Sequence, residues 1–174
     1  MFEIQSSGEK MAVGKTIMRF FGMYAPLQSV RIAMYRKAGV KIGKEWVFGT
    51  NIFIDFGREH DVTIGDDVGI AGFDQIYAHS NVLWGIKDEG GPVVIKDGAR
   101  IGVNVVILPG VTIGENAVIG ACSLVNKNIP DNCIAVGVPA KPIKLHHFHR
   151  HELCRTLTGS EMVRDVEEIE GKSP

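Results

Sequence analysis

Between residues 95 and 125 an aliphatic side chain recurs at every sixth position: Ile95, Ile101, Ile107, Ile113, Ile119 and Val125. A helix repeats every 3.6 residues and a strand every two, so neither alone explains a strict period of six. The same beat runs upstream in shifted registers, through Ile64, Ile70, Ile76 and Val82, and before them Ile42, Phe48 and Ile54. Glycine often follows the aliphatic residue, at positions 43, 49, 65, 102, 114 and 120. Four places after the aliphatic residue stands a small or β-branched one: Val68, Ala99, Val105, Val111, Ala117 and Ser123. A coil of short flat strands joined by tight corners satisfies this pattern. Each hexad supplies one strand and one corner, the aliphatic side chain points at the axis, and the small residue fills the space beside it. Glycine is expected to ease the corner backbone. Three hexads make a triangular turn of about 18 residues, and turns stack at roughly 4.8 Å. Each turn buries its apolar row only against its neighbours, as repeat architectures do.

The pattern divides the chain into residues 1–38, 39–144 and 145–174. In the first part Ile17, Phe20, Phe21 and Tyr24 share one helical face up to Pro26, and a second helical run continues to Gly39. In the last part Met162, Val163, Val166 and Ile169 suit a short amphipathic helix. The repeat itself is interrupted twice, at residues 57–61 (GREHD) and 83–92 (LWGIKDEGGP). Loops ejected from a rigid repeat often carry function, and His60 and His79 stand near these two. An α/β fold would need helical stretches between strands, which 93–126 does not offer. An antiparallel sandwich would not require six hits at one phase.

Composition adds limits. The chain has 174 residues, enough for one domain with a small appendage, and its net charge of −1 gives no global case for nucleic acid. Eight of its Lys and Arg residues lie within 1–44. Residues 10–38 therefore read either as a capping helical segment with a solvated basic face, which is favoured, or as a peripheral membrane contact. Cys122, Cys133 and Cys154 form neither a CxxC pair nor an even set, which fits a reducing cytoplasm better than a disulfide framework. No run is long and apolar enough for a transmembrane span.

The segment VIKDGARIGVNVVILPGVTIGENAVIGACSLVNKNIPDNCIAVGVPAKPIK is similar to the hexapeptide-repeat acyltransferases, a family of left-handed parallel β-helices. Its ending, NKNIPDNCIAVGVPAKPIK, resembles the close of sugar and polysaccharide O-acetyltransferases, and MYRKAGVKIG resembles the polysaccharide branch. The resemblance implies an all-β solenoid with helical ends, a homotrimer, and acetyl-CoA as co-substrate lying between adjacent coils. Left-handedness comes from the resemblance alone, since parallel crossovers are ordinarily right-handed.

The family's catalytic histidine falls on His79, in IAGFDQIYAHSNV just before the second interruption. An imidazole can take a proton from a hydroxyl as its oxygen attacks a thioester, so no acyl-enzyme nucleophile is required. The cofactor contacts implied by the resemblance are Val103, Ala121, Asn126, Lys127, Lys141 and Lys144, the last two facing phosphates as point charges. Asp55, His60 and Asp61 around the first interruption, and Trp84 on the second, are candidates for the acceptor side, and the first three could instead orient His79. Arg100 stands where maltose-type members carry tryptophan, which bears on the shape of the thioester pocket. The tail HHFHRHE could bind a metal adventitiously, but it lacks a recognised ligand pattern, so no metal site is expected.

These residues point to an O-acetyltransferase acting on a carbohydrate or another small hydroxyl acceptor. Xenobiotic and serine acetylation remain open, although the serine enzymes usually carry an HGTG-like context where this chain reads FGREHDVTIG. A non-catalytic β-helix scaffold is a further alternative. A γ-class carbonic anhydrase would need a zinc-binding histidine in the coil after the loop, and 93–126 has none.

Overall fold

A computed structural model describes residues 6–79 and 90–145 of the chain. Two helices lead in, α1 (Ser6–Tyr24) and α2 (Gln28–Ala38). Short strands then follow in threes. The first turn holds β1 (Lys41–Ile42), β2 (Val47–Phe48) and β3 (Phe53–Ile54), and the second holds β4 (Val62–Ile64), β5 (Gly69–Ile70) and β6 (Gln75–Ile76). The third turn holds β7 (Val93–Ile95), β8 (Arg100–Ile101) and β9 (Val106–Ile107), and the fourth β10 (Thr112–Ile113), β11 (Val118–Ile119) and β12 (Leu124–Val125).

Successive strands fall on three faces in rotation. The first face is β1-β4-β7-β10 and the third is β3-β6-β9-β12. The second is β2-β5-β8-β11, extended by β13 (Cys133–Val136) and closed by β14 (Lys141–Leu145). All pairs are parallel except β13 with β14. The hexad aliphatics lie directly over one another: Ile42 pairs with Ile64, Ile64 with Ile95, and Ile95 with Ile113. Sequence phase has become strand register.

The expected core is present. Ile95, Ile107, Ile113 and Val125 are wholly buried, and so are Ala99, Val105 and Ala117 in the small-residue positions. Each buried isoleucine contributes about 1.5–3 kcal/mol by leaving water. One small-residue position instead holds Asp74, four places after Ile70 and fully buried. Its Oδ1 accepts the Val105 N–H at 2.6 Å and its Oδ2 accepts the Gly72 N–H at 3.2 Å. Burial outweighs those bonds and pushes its carboxyl up to about 6.

The glycines after the aliphatic positions act differently from the expectation. Backbone freedom is not their main use. A methyl group on Gly102 would lie 2.6 Å from Ala121 N, and one on Gly65 would lie 2.8 Å from Asp97 N. These glycines let one turn sit directly on the next. The left-handed backbone falls two positions later instead. On the edge between the first and second faces it is carried by Glu45, Asp67, Gly98, Asn116 and Asn132. On the edge between the second and third it is carried by Asn51, Phe73, Asn104 and Cys122. Asn and Asp tolerate that region better than other side chains, which explains their frequency at these corners.

The helical lead-in closes the open end of the coil. Ile32 and Tyr35 of α2 join the core, and the Tyr35 hydroxyl donates to the Ile52 carbonyl. The buried Arg31 donates to the carbonyls of Ala25 (2.6 Å), Pro26 (3.1 Å) and Phe48. Arg36 caps the Ile42 carbonyl and stacks 5.7 Å from the Trp46 ring. Basic residues of this segment are thus partly consumed in holding it to the coil. The face of α1 bearing Ile17, Phe20, Phe21 and Tyr24 points outward rather than into the cap, with Phe20 60% exposed. Arg19, expected on a solvated face, turns inward and pairs with the buried Glu59 at 2.6 Å. Among the described residues no helix is long and apolar enough to cross a membrane. Val82, Trp84, the histidine run at 146–151 and the expected tail helix lie outside the described residues.

Candidate active site

His79 stands on the edge between the third and first faces, three residues past Ile76 at the end of β6. Asp55 occupies the same edge one turn earlier, directly after β3. Because Ile54 pairs with Ile76, the register carries Asp55 under the segment that ends in His79. The Asp55 carboxylate is 1% exposed, and its Oδ2 accepts the N–H groups of Ala78 at 2.8 Å and His79 at 2.9 Å. The same oxygen meets Nδ1 of the His79 ring. A carboxylate only accepts, so the neutral imidazole carries its proton on Nδ1 and keeps the lone pair on Nε2. The ring is held from below and remains 23% exposed. Such an arrangement can accept a proton from a bound hydroxyl and stabilise the imidazolium that results.

The corner is closed by the last residues of the second interruption. Gly91 donates its N–H to the Ala78 carbonyl at 3.0 Å and accepts the Gly110 N–H at 3.1 Å. A methyl group on Gly91 would lie 2.9 Å from Gly110 Cα, so glycine is needed for this tight return.

The other candidates divide. His60 and Asp61 lie in a 3-10 turn (Glu59–Asp61) and pair with each other at 3.5 Å, while Asp61 also pairs with Arg58 at 3.1 Å. The bonds described for these two residues do not reach His79. Their neighbour Glu59, absent from the sequence candidates, is the buried one: it accepts from Gly57 N–H at 3.1 Å and binds Arg19. Asn126 and Lys127 are exposed on the edge that bears His79, two turns further along. Val103 and Ala121 are exposed on the opposite edge of the third face, where the Cys122 N–H donates to the Val103 carbonyl at 2.9 Å. Lys141 is exposed at the start of β14, and Lys144 stands opposite Ile134 in the β13–β14 pairing. Arg100 lies on the second face, strapped to Asp67 at 3.2 Å, and so is away from the edge that bears His79.

Sequence reasoning missed a cluster of rings beside Asp55 and His79. Phe53 packs 4.7 Å from Phe56 and 5.4 Å from Tyr77, measured between ring centroids. The Arg19 guanidinium lies 4.8 Å over Phe56, and the Tyr77 hydroxyl donates to Gln75 Oε1 at 2.8 Å. The signal was available in Phe53 and Tyr77, which stand next to the buried Ile54 and Ile76, and in Phe56 two places after Ile54.

A three-faced parallel coil of hexads defines a class. The chain belongs to the hexapeptide-repeat acyltransferase family. Residues 92–127 match the family described as "Bacterial transferase hexapeptide (six repeats)". Galactoside O-acetyltransferase of Escherichia coli (strain K12) is 33% identical over 160 residues, covering 78% of this chain and 79% of that protein. Among solved structures, a maltose O-acetyltransferase from Clostridium difficile 630 is similar, with a TM-score of 0.63 at 28% identity over 83% of this chain and 90% of that one. A galactoside acetyltransferase in complex with coenzyme A gives a TM-score of 0.57 at 25% identity, covering 86% and 90% respectively.

Proposed function

We propose that the protein transfers an acetyl group directly from acetyl-CoA to a hydroxyl of a carbohydrate acceptor, with His79 as general base. The observation that carries this reading is the buried Asp55 carboxylate bonded to Nδ1 of a ring that stays accessible at a coil edge. The similarity to galactoside and maltose O-acetyltransferases supports the donor and the class of acceptor.

In this reading Nε2 takes the hydroxyl proton as the acceptor oxygen attacks the thioester carbonyl. Asp55 offsets the positive charge that appears on the ring. The tetrahedral intermediate then collapses, the C–S bond breaks, and the imidazolium returns the proton to the departing thiolate. The ester forms, free CoA leaves, and the histidine ends as it began.

Four of the expected cofactor residues are split between two edges of the third face, Val103 and Ala121 on one and Asn126 and Lys127 on the other, while Lys141 and Lys144 lie in β14 on the second face. A straight arm running along the coil axis touches both edges only if a second copy brings its own edge alongside. This favours the homotrimer that the family resemblance implies, with the winding left-handed and the protein working in the cytoplasm where acetyl-CoA is made. The outward row Ile17, Phe20, Phe21 and Tyr24 is the apolar surface that such assembly could cover.

Purified protein mixed with acetyl-CoA and a panel of sugars, drugs and serine, with free thiol followed, tests the proposal. Acceptor-dependent release should be lost in His79→Ala. Wild-type protein that neither binds acetyl-CoA nor releases thiol would refute it.

A further inference from the structure

The edge bearing His79 has a direction. Asn126 and Lys127, the expected cofactor contacts on that edge, lie toward the C-terminal end of the coil from the histidine. Phe53, Phe56 and Tyr77 lie on the turn before it and on its own turn. If the thioester arrives from the C-terminal side, the acceptor must occupy the N-terminal side, where the chain presents aromatic rings next to the mutually paired Arg58, His60 and Asp61.

We infer that Phe53, Phe56 and Tyr77, with Arg19 over the far end, form the wall on which the apolar face of an acceptor pyranose lies while one hydroxyl reaches His79. The inference rests on the acyl-transfer reading and adds to it the location and chemistry of the acceptor subsite. Three features fit a sugar better than a small amino acid or a lipid. The rings are contiguous, with centroids at 4.7 and 5.4 Å and planes tilted by 56° and 45°, so they form an angled apolar surface rather than a lone ring. Polar groups adjoin them: the Tyr77 hydroxyl and Gln75 amide at one end, and the Arg19 guanidinium over the Phe56 ring at the other. Apolar rings with hydrogen-bonding borders match a molecule whose faces are C–H and whose rim is hydroxyl. The wall is also braced, because Arg19 is locked to the buried Glu59 and Glu59 to the Gly57 N–H. Phe56 is 47% exposed, so it contributes area to a ligand rather than to the core.

The full chain and its Phe56→Ala, Phe53→Ala and Phe56→Trp variants should be assayed with acetyl-CoA and methyl glycosides of glucose, galactose and mannose, with serine as a non-sugar alcohol. The KM for the preferred glycoside should rise about five- to tenfold in each alanine variant, the scale of one lost ring contact. Phe56→Trp should restore it, and the KM for acetyl-CoA should stay within twofold. Light scattering on the same samples reads the assembly mass. Unchanged glycoside KM in both alanine variants overturns the inference, and so does a change in mass, which would make the rings a subunit contact. Wild-type turnover of serine without any glycoside overturns the wall while leaving His79 as a base. Absence of acceptor-dependent thiol release from every alcohol sinks the acyl-transfer reading itself, and the wall with it.

Discussion

Asp55→Asn isolates one property of the candidate site, its negative charge. In the native corner a single oxygen, Oδ2, takes the N–H groups of Ala78 and His79 together with Nδ1 of the ring. In asparagine only the carbonyl oxygen can occupy that place, because the amide group would face two backbone donors. The Nδ1–H bond therefore survives, the tautomer is kept, and the corner retains its fold. The attraction between carboxylate and imidazolium is lost. Two unit charges about 4 Å apart interact by roughly 4 kcal/mol at the effective dielectric of a protein edge. In the proposed acyl transfer the imidazolium forms as the proton moves, so the loss would fall on the barrier, and about 4 kcal/mol corresponds to roughly a thousandfold in rate. The expectation is a kcat lower by about 10²–10³, acceptor and acetyl-CoA KM values within threefold, and stability within about 1 kcal/mol. Thiol release at saturating substrates, read beside urea unfolding, measures all three. Asp55→Ala should be worse on both counts, since it leaves two buried N–H groups without a partner and the ring without its support. An Asp55→Asn enzyme within threefold of wild-type kcat would refute the idea that the carboxylate stabilises a transient imidazolium, whatever its part in the fold.

Other expectations concern the frame. Gly102→Ala should cost about 1–3 kcal/mol in urea unfolding, because the added methyl meets Ala121 backbone at 2.6 Å and neither turn can yield without shifting its neighbours. Gly57→Ala, with open space around it but φ at 91°, should cost only about 1 kcal/mol. Asp74 titrates near pH 6 in the fold and near 4 in an open chain, so its stabilising contribution is complete below about pH 4 and lost as pH rises through 6. Urea midpoints across pH 3.5–7 should show wild type losing up to about 3 kcal/mol relative to Asp74→Asn over that interval. A difference that does not change with pH would contradict it. Arg19→Met, which strands the buried Glu59 carboxylate, should speed amide exchange along α1 while leaving the strands of the third and fourth turns protected, as read by hydrogen exchange.

The coil was legible because its rule is one-dimensional. A residue that must point at the axis every sixth position leaves its mark whatever its neighbours do, so the rows of Ile95 and Ile64 could be read straight from the chain. The glycines were seen but given the wrong work: a close approach between turns is a contact across some eighteen residues, and composition alone does not separate it from a need for unusual φ. The true left-handed positions were marked by Asn51, Asp67, Asn104 and Asn116, a column that shows only once corners are aligned in space. The outward direction of the α1 stripe was not legible for a similar reason. Its apolar stripe was plain, but whether a stripe faces the core depends on what already fills that core, and Ile32 and Tyr35 of α2 fill it first.

At the candidate site the same division holds, and it has a physical origin. His79 could be located because regularity fails next to it, and a failure of regularity is visible in one dimension. Its partner could only be narrowed to three polar residues, since Asp55, His60 and Asp61 are close in sequence and the chain alone does not say which way the corner turns each. The turn is set by register. Ile54 stacks on Ile76, so the next residue of one turn lies beneath the end of the other, and Asp55 alone enters the interior of that corner. The extra residues at 57–61 follow it on the outside and end in a surface pair of His60 with Asp61. A solenoid can afford such insertions only at its corners, where a longer excursion leaves the stacked strands undisturbed. Both interruptions of this coil fall at the corner between its third and first faces, which concentrates departures from the repeat around one histidine. The rigid isoleucine rows hold that corner to fixed turn spacing, and the irregular residues placed on it are where chemistry can differ from one member of the family to another.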